Sequence, residues 1–210
     1  MRREKAVVLL SGGLDSATVL RIALRKYECF CVIFDYGQKH RVELKSAVKI
    51  ARSAGCGYDI IKINLPWGGS SLLKKKTNLP EKNKLPLTYV PGRNTIFLSF
   101  ALSLAEARKA SAIFIGANAL DYPGYPDCRP KYIEQWNRLI KSLGLKIKVF
   151  APLVKLSKKQ IIRLGVKLGV PYELTWSCYA GGKKPCLKCD SCRFRQKGFA
   201  EAGLKDPALG

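Results

Sequence analysis

Three things are scarce in this sequence. Long hydrophobic runs are the first. No window approaches a transmembrane helix, and the apolar stretch inside the basic start MRREKAVVLL is too short for a signal-peptide core and lacks a cleavage pattern. The expectation is a cytoplasmic protein with no membrane partner. Acidic residues are the second: 15 Asp and Glu against 38 Lys and Arg leave a formal charge of +23. That balance is an electrostatic footprint for polyanions. The basic residues nevertheless spread through nearly every segment, with local runs at Lys74-Lys75-Lys76 and Lys158-Lys159, as on a solvated lysine surface. No obligatory nucleic-acid partner is implied. Histidine and methionine are the third, one of each, which together with abundant lysine fits a heat-adapted proteome. Repeats, low-complexity tracts and a Gly-Lys-Ser/Thr phosphate loop are absent.

What is present is a chain of 210 residues with 47% apolar content, enough for one core of ordinary size. Apolar runs of strand length at residues 6–10, 29–34, 58–64, 112–118 and 146–153 alternate with helical periodicity. The helices are expected from 14 to about 25, from 40 to 54, from 95 to 110, from 131 to 144, and from a Ser157 N-cap to about 169. Strand–helix alternation of this kind predicts an α/β fold, a doubly wound parallel five-stranded sheet of Rossmann-like type. Ligands of such sheets sit beyond the carboxyl ends of the strands, so Ser11, Asp35 and Asn64 are expected to face one crevice. Residues 1–172 form the nucleotide-binding α/β domain in this reading, and 173–210 a small C-terminal segment packed on it. The helix TIFLSFALSLAEARKA is apolar on most faces and is expected to be buried.

The stretch AVVLLSGGLDSATVL carries the sharpest local chemistry. A buried strand, a Ser-Gly-Gly turn and a helix start bring several backbone N–H groups into one concavity. The first helical turn adds unpaired donors and the positive end of its dipole. Ser11 and Ser16 supply hydroxyls, and Asp15 is suited to hold a Mg²⁺ bridging phosphate oxygens. This is an oxyanion cradle, and SGGLDS resembles the PP-loop of ATP pyrophosphatases, which cleave ATP between its α- and β-phosphates. The residues assigned to nucleotide are Leu10, Ser11, Gly12, Gly13, Leu14, Asp15, Ser16, Ala17, Thr18, Val19 and Leu20, with Tyr36 and Gln38 lining the adenine or ribose pocket.

Residues 65–90 lose all periodicity, which marks a lid, a binding loop or disorder. Trp67-Gly68-Gly69-Ser70 and Thr88-Tyr89-Val90 are too apolar for a mere tether. Further on, Cys178, Cys186, Cys189 and Cys192 are spaced C-x7-C-x2-C-x2-C. Two-residue gaps let thiolates converge on one ion, and four sulfurs with no open position are the pattern of a structural Zn²⁺ site. An iron–sulfur cluster uses the same thiolates, and spacing alone does not separate the two. Lys183, Lys184, Lys188 and Arg193 surround the cluster and would offset its charge.

SGGLDS, FDYGQKHRVEL, TYVPGRNTIFLS, FIGANALDYPGYPDCRP and LTWSCY followed by C-x2-C-x2-C together resemble the 7-cyano-7-deazaguanine synthase family of queuosine and archaeosine precursor synthesis. The resemblance runs from about Val7 to Pro207. It implies 7-carboxy-7-deazaguanine, ammonia and ATP as substrates, with Mg²⁺ and Zn²⁺ as cofactors, and acyl-adenylate and amide intermediates. Asp15, Ser16 and Arg93 are then the catalytic candidates. Arg93, Asn94, Asp121, Tyr122, Tyr125, Asp127 and Arg129 are the candidates for the deazaguanine, with Asp121 or Asp127 accepting from the guanine edge, the tyrosines stacking and Arg129 gripping the carboxylate. Turn capping is the other role open to the two aspartates. No obvious general base stands out, and His40 is as well placed for capping as for catalysis. A tRNA-modifying PP-loop enzyme of thiolase or lysidine type is the alternative that would use the positive charge. Trp136 and the exposed apolar residues of the later helices leave room for a homodimer.

Overall fold

The computed structural model describes residues 3–38, 41–65, 70–73, 88–120, 125–182 and 184–209. The five apolar runs become the strands of one parallel sheet, whose central strands are covered on both faces while the edge strand that ends at Lys62 stays largely exposed. These are β1 (Glu4–Leu9), β2 (Tyr27–Asp35), β3 (Gly57–Lys62), β4 (Ala112–Phe114) and β5 (Lys148–Phe150), ordered β3-β2-β1-β4-β5. β1 is central: Ala6 pairs with Cys29 on one side and Ala112 on the other. Alternation along the strand then sorts side chains between two cores. Ala6, Val8, Cys31 and Ile33 face α1 (Leu14–Ala23), α2 (Val42–Ser53), α5 (Lys158–Lys167) and α6 (Asp190–Ala202). Val7, Leu9, Val32 and Phe34 face α3 (Arg93–Ala107) and α4 (Pro130–Ser142). The strand order reverses between β1 and β4, and there the carboxyl ends open a crevice.

Three sequence expectations need correction, and one helix goes unannounced. β4 and β5 are shorter than their apolar runs: Ile115 N–H makes a last bond across, to the Phe150 carbonyl at 3.0 Å, and beyond it Asn118 turns its amide to the carbonyls of Leu153 and Leu156 at 3.2 and 2.8 Å. α3 is not buried all round. It forms an outer layer that buries Asn94, Leu98, Ala101 and Ala105 and leaves Thr95, Ser99, Phe100 and Ser103 exposed. Trp136 is buried against Tyr132 and contributes nothing to an exposed face. α6 is a helix that the periodicity does not announce, since its buried side is Cys192, Arg195, Gly198, Phe199 and Ala202. Gly198 permits its close crossing with α5, because a Cβ there would overlap the stem of Lys158. Among the described residues no helix is long and apolar enough to cross a membrane.

Candidate active site and metal centre

The crevice is a cleft of about 240 Å³. One wall is the loop after β1. Gly12 has φ +86°, and a Cβ there would overlap the carbonyl oxygen of Glu43 and lie 2.7 Å from the amide nitrogen of Ala47. Glycine is thus demanded twice, by the left-handed backbone and by the contact with the first turn of α2. Gly13 begins α1 without a side-chain cap, which leaves the first-turn N–H groups for a ligand. The two serines brace the turn: Ser11 Oγ donates to Ser16 Oγ at 3.1 Å, the Ser16 hydroxyl also bonds the Gly13 carbonyl at 3.0 Å, and Gly13 N–H donates to Ser11 Oγ. Trp176 N–H donates to the Gly12 carbonyl at 2.9 Å, tying the loop to the C-terminal segment. Lys158, from the first turn of α5, reaches into the cleft and donates to both oxygens of Asp15 at 2.7 and 2.9 Å. The Mg²⁺ expected at Asp15 would have to share or displace that ammonium.

The facing wall gathers residues from three places: Tyr36 and Gln38 after β2, Arg93 and Asn94 at the start of α3, and Tyr125 and Cys128 before α4. Gln38 locks its own turn, accepting from Tyr36 N–H at 2.8 Å and donating to the Phe34 carbonyl at 3.1 Å. Arg93 lies against Tyr36, its Nη1 3.4 Å from the phenol oxygen. Burial works against its charge, but Tyr36, Tyr179 and Asp127 together hold its pKa above the ordinary arginine value. Glu43, part of FDYGQKHRVEL but given no role there, also lines the cleft. Burial pushes its carboxyl up to about 7, against the pull of Arg93 and the Gln38 amide. Cys128 is raised to about 11 by burial and by Asp127.

Of the residues expected to bind nucleotide, Leu10, Ser11, Gly13, Leu14, Asp15, Ser16, Tyr36 and Gln38 line the cleft. Ala17, Thr18, Val19 and Leu20 are buried in the sheet–helix core instead, with Thr18 Oγ1 bonded to the Leu14 carbonyl and the Tyr172 hydroxyl. Of those expected at the second substrate, Arg93, Asn94 and Tyr125 line the cleft, whereas Asp127 and Arg129 do not. The Asp127 carboxylate accepts from Asn94 N–H at 3.4 Å, satisfying an orphan donor of α3 from behind the wall. Arg129 is exposed at the N-cap of α4. Asp35 is paired with Arg41, and neither it nor Asn64 reaches the cleft. Asp121, Tyr122, His40, Trp67, Gly68, Gly69, Lys74, Lys75, Lys76 and Lys183 lie outside the described residues. Lys158, Glu43, Trp176, Ser177 and Arg195 are cleft residues that sequence reasoning missed.

The four tail cysteines have their sulfurs within 4.8 Å of one another. Backbone N–H groups point at them: Cys186 N–H and Ala180 N–H donate to Cys178 Sγ at 3.2 and 3.3 Å, and Cys189 N–H to Cys186 Sγ at 3.4 Å. Such bonds favour thiolate, and the N–H groups of Lys188 and Cys189 draw Cys186 down to about 6. Four converging thiolates with no open position fit a structural zinc ion. Cys189 is also the N-cap of α6. Six residues beyond that cap, Arg195 is held by Asp206 at 2.6 and 2.8 Å and donates to Thr175 Oγ1 and the Tyr172 carbonyl. The metal end is therefore continuous with the strap 172–177, which contacts the phosphate loop.

A family model described as "Queuosine biosynthesis protein QueC" matches residues 5–203. The chain belongs to the QueC family. It is a carbon–nitrogen ligase of the 7-cyano-7-deazaguanine synthase type. The 7-cyano-7-deazaguanine synthase of Nostoc sp. is 52% identical over 97% of this chain and 96% of its own length. That of Thermoplasma volcanium is 50% identical over 97% and 90%, and that of Picrophilus torridus 53% over 95% and 88%. Among solved structures, an NMN synthetase from Francisella tularensis superposes with a TM-score of 0.55 at 15% identity, covering 97% of this chain and 79% of its own. The U34-tRNA thiolase NcsA of Methanococcus maripaludis gives 0.50 at 20% identity, covering 94% and 65%. At such identities the two show a shared fold and nothing more.

Proposed function

We propose that this QueC-family chain converts 7-carboxy-7-deazaguanine, ATP and ammonia into 7-cyano-7-deazaguanine, AMP and pyrophosphate, in the cytoplasm and without an obligatory nucleic acid. The observation that carries the reading is the opposition of two walls across one cleft, a phosphate cradle on one side and a cationic, aromatic surface on the other. In the first half-reaction a carboxylate oxygen bonds to the α-phosphorus of ATP and pyrophosphate leaves; ammonia then displaces AMP to give the amide. In the second, the amide oxygen takes the AMP group from another ATP, and loss of that AMP leaves the nitrile.

Anion attacking anion is the electrostatic problem, and fixed positive groups are the remedy. The first-turn N–H groups of Leu14, Asp15 and Ser16 cradle the pyrophosphate in this reading. Lys158 supplies a cation beside it, and Asp15 and the phosphates provide the hard oxygens a Mg²⁺ prefers. Arg93 neutralises the developing phosphorane charge from the opposite side, while Asn94 and Tyr125 position the flat heterocycle. Zinc holds the tail in shape and takes part in no bond change.

The test is mass spectrometry of the product after incubating folded, zinc-loaded protein with ATP, Mg²⁺, ammonium and the carboxylic acid. A loss of 19 mass units (about, for –COOH to –CN) with release of AMP is expected. An unchanged carboxylate overturns the reading.

A further inference from the structure

We infer that the Glu43 carboxylate accepts the protons shed by the nitrogen that enters the product, a role that rests on the function proposed above. That reaction cannot run without proton acceptance. Ammonium must lose one proton before its nitrogen can attack the acyl carbon, and the nitrogen sheds another as the C–O bond to AMP breaks. In the second half, the amide oxygen bonds to phosphorus while one N–H proton leaves. The remaining N–H proton departs as the C–O bond breaks and the C≡N bond forms. Each proton passes to the carboxylate and from the carboxyl on to water.

Among the described residues lining the cleft, two carry carboxyls, Asp15 and Glu43. Both oxygens of Asp15 are taken by Lys158. Glu43 makes no ion pair among the described residues, and its placement is fixed from two directions. Its carbonyl abuts Gly12, so the first turn of α2 moves with the phosphate loop. Its side chain is flanked by the Gln38 amide, itself locked to the β2 end. A carboxyl on the helix turn that abuts the phosphate loop opens on the same cleft as Arg93, where the function proposed above puts the carbon that is adenylated and then aminated. The charged and titratable groups around it are Arg93 from α3, Tyr36 from the β2–α2 connection, and Asp15 and Lys158 across the loop. The other proton carriers of the cleft are unsuited: burial raises the Cys128 thiol and the Tyr36 and Tyr125 phenols away from neutrality. Glu43, raised to about 7, can both take and release a proton at neutral pH.

The experiment compares wild type with Glu43→Gln as zinc-loaded proteins from about pH 5.5 to about pH 9, and separates the steps. Pyrophosphate release in a first turnover without ammonium reads adenylation; amide and nitrile are read by mass spectrometry. The expected result is adenylation within about threefold of wild type and amide and nitrile formation slower by about 100-fold or more, with the acidic limb near neutrality lost. Added formate should restore part of the rate to Glu43→Ala, whose cavity admits a small carboxylate. Nitrile formation by Glu43→Gln at the wild-type rate with the acidic limb intact overturns the inference. So does an equal loss in adenylation and in nitrile formation, which marks a purely structural carboxyl. A wild-type protein that makes no nitrile would instead overturn the function on which this rests.

Discussion

The two walls of the cleft are built on different plans. Residues 11–16 form one turn of chain whose hydroxyls, carbonyls and glycines settle their bonds within six residues, and whose remaining neighbours are backbone groups of α2 and Trp176. The facing wall draws Tyr36, Arg93 and Tyr125 from three connections far apart in sequence, which meet because β2, β1 and β4 are adjacent in the sheet. A contiguous anion cradle is encoded where it stands. A wall assembled from distant connections is encoded by topology, so its members are found only once the strand order is known.

The comparison breaks most sharply at Asp15. Asp15→Asn should slow AMP formation by about 10³-fold or more, because it removes a charge from both the Lys158 pair and the metal oxygens, while the melting temperature moves little. Quantifying AMP by chromatography checks it. A loss under about tenfold would mean that the cradle acts through its backbone alone.

A second test contrasts two glycines of like conformation. Gly12 has φ +86° and backbone atoms packed against it; Gly37 has φ +82° and nothing within 4 Å of a would-be Cβ. Gly37→Ala should cost about 1 kcal/mol of backbone strain. Gly12→Ala adds steric overlap with α2 and should cost roughly 3 kcal/mol or more, read by urea unfolding. Equal costs would show that α2 yields to the loop and does not fix it.

The third test concerns the metal end. Cys189→Ser removes a thiolate and the N-cap of α6 together. Bound zinc, measured by atomic absorption, should fall with stability, by roughly 2 kcal/mol or more. The Michaelis constant for ATP should rise too, since Arg195 and the strap 172–177 link α6 to the Gly12 carbonyl. Unchanged zinc content would overturn the four-thiolate site.

These tests follow the boundary of what the sequence discloses. The cradle and the cysteine knuckle are legible because both are short, and backbone geometry within a few residues of glycine or cysteine dictates their chemistry. The strands are legible because a doubly covered sheet demands unbroken apolar runs, as in CFCVIF. Asp127 is ambiguous in sequence, since its Pro-flanked loop suits a ligand or a cap, and nothing local reveals that its carboxylate accepts from Asn94 N–H across the chain. Ala17 to Leu20 belong to the motif but not to the cleft, since α1 is covered all round there, by the sheet on one side and by its neighbouring helices on the others. Lys158 sat in an exposed-looking lysine pair after a Ser157 cap, and only the crossing at Gly198 directs its stem toward Asp15. Glu43 is a first-turn glutamate, where a helix dipole ordinarily accounts for the residue completely.

The smallest effect expected is one that sets the two carboxyls of the cleft against each other in stability. Glu43 stands with its carboxyl raised to about 7 by burial, above the ordinary 4.5. The folded chain therefore binds this proton more tightly than the unfolded chain does. Below pH about 4 both states are protonated and the group is neutral in its effect. As pH climbs from there toward the folded value the unfolded state ionises first, and stability falls; above about 8 the whole penalty is present. Glu43→Gln removes the ionisable proton and should leave stability near wild type at pH about 4.5 but raise it by roughly 1–3 kcal/mol at pH about 8, read as a higher urea midpoint. Asp15 is the other carboxyl of the cleft. Its carboxylate is ion-paired with Lys158, so Asp15→Asn should confer no such alkaline gain. A gain from Asp15→Asn, or none from Glu43→Gln, would show that the unpaired, buried carboxyl of the cleft has been wrongly identified.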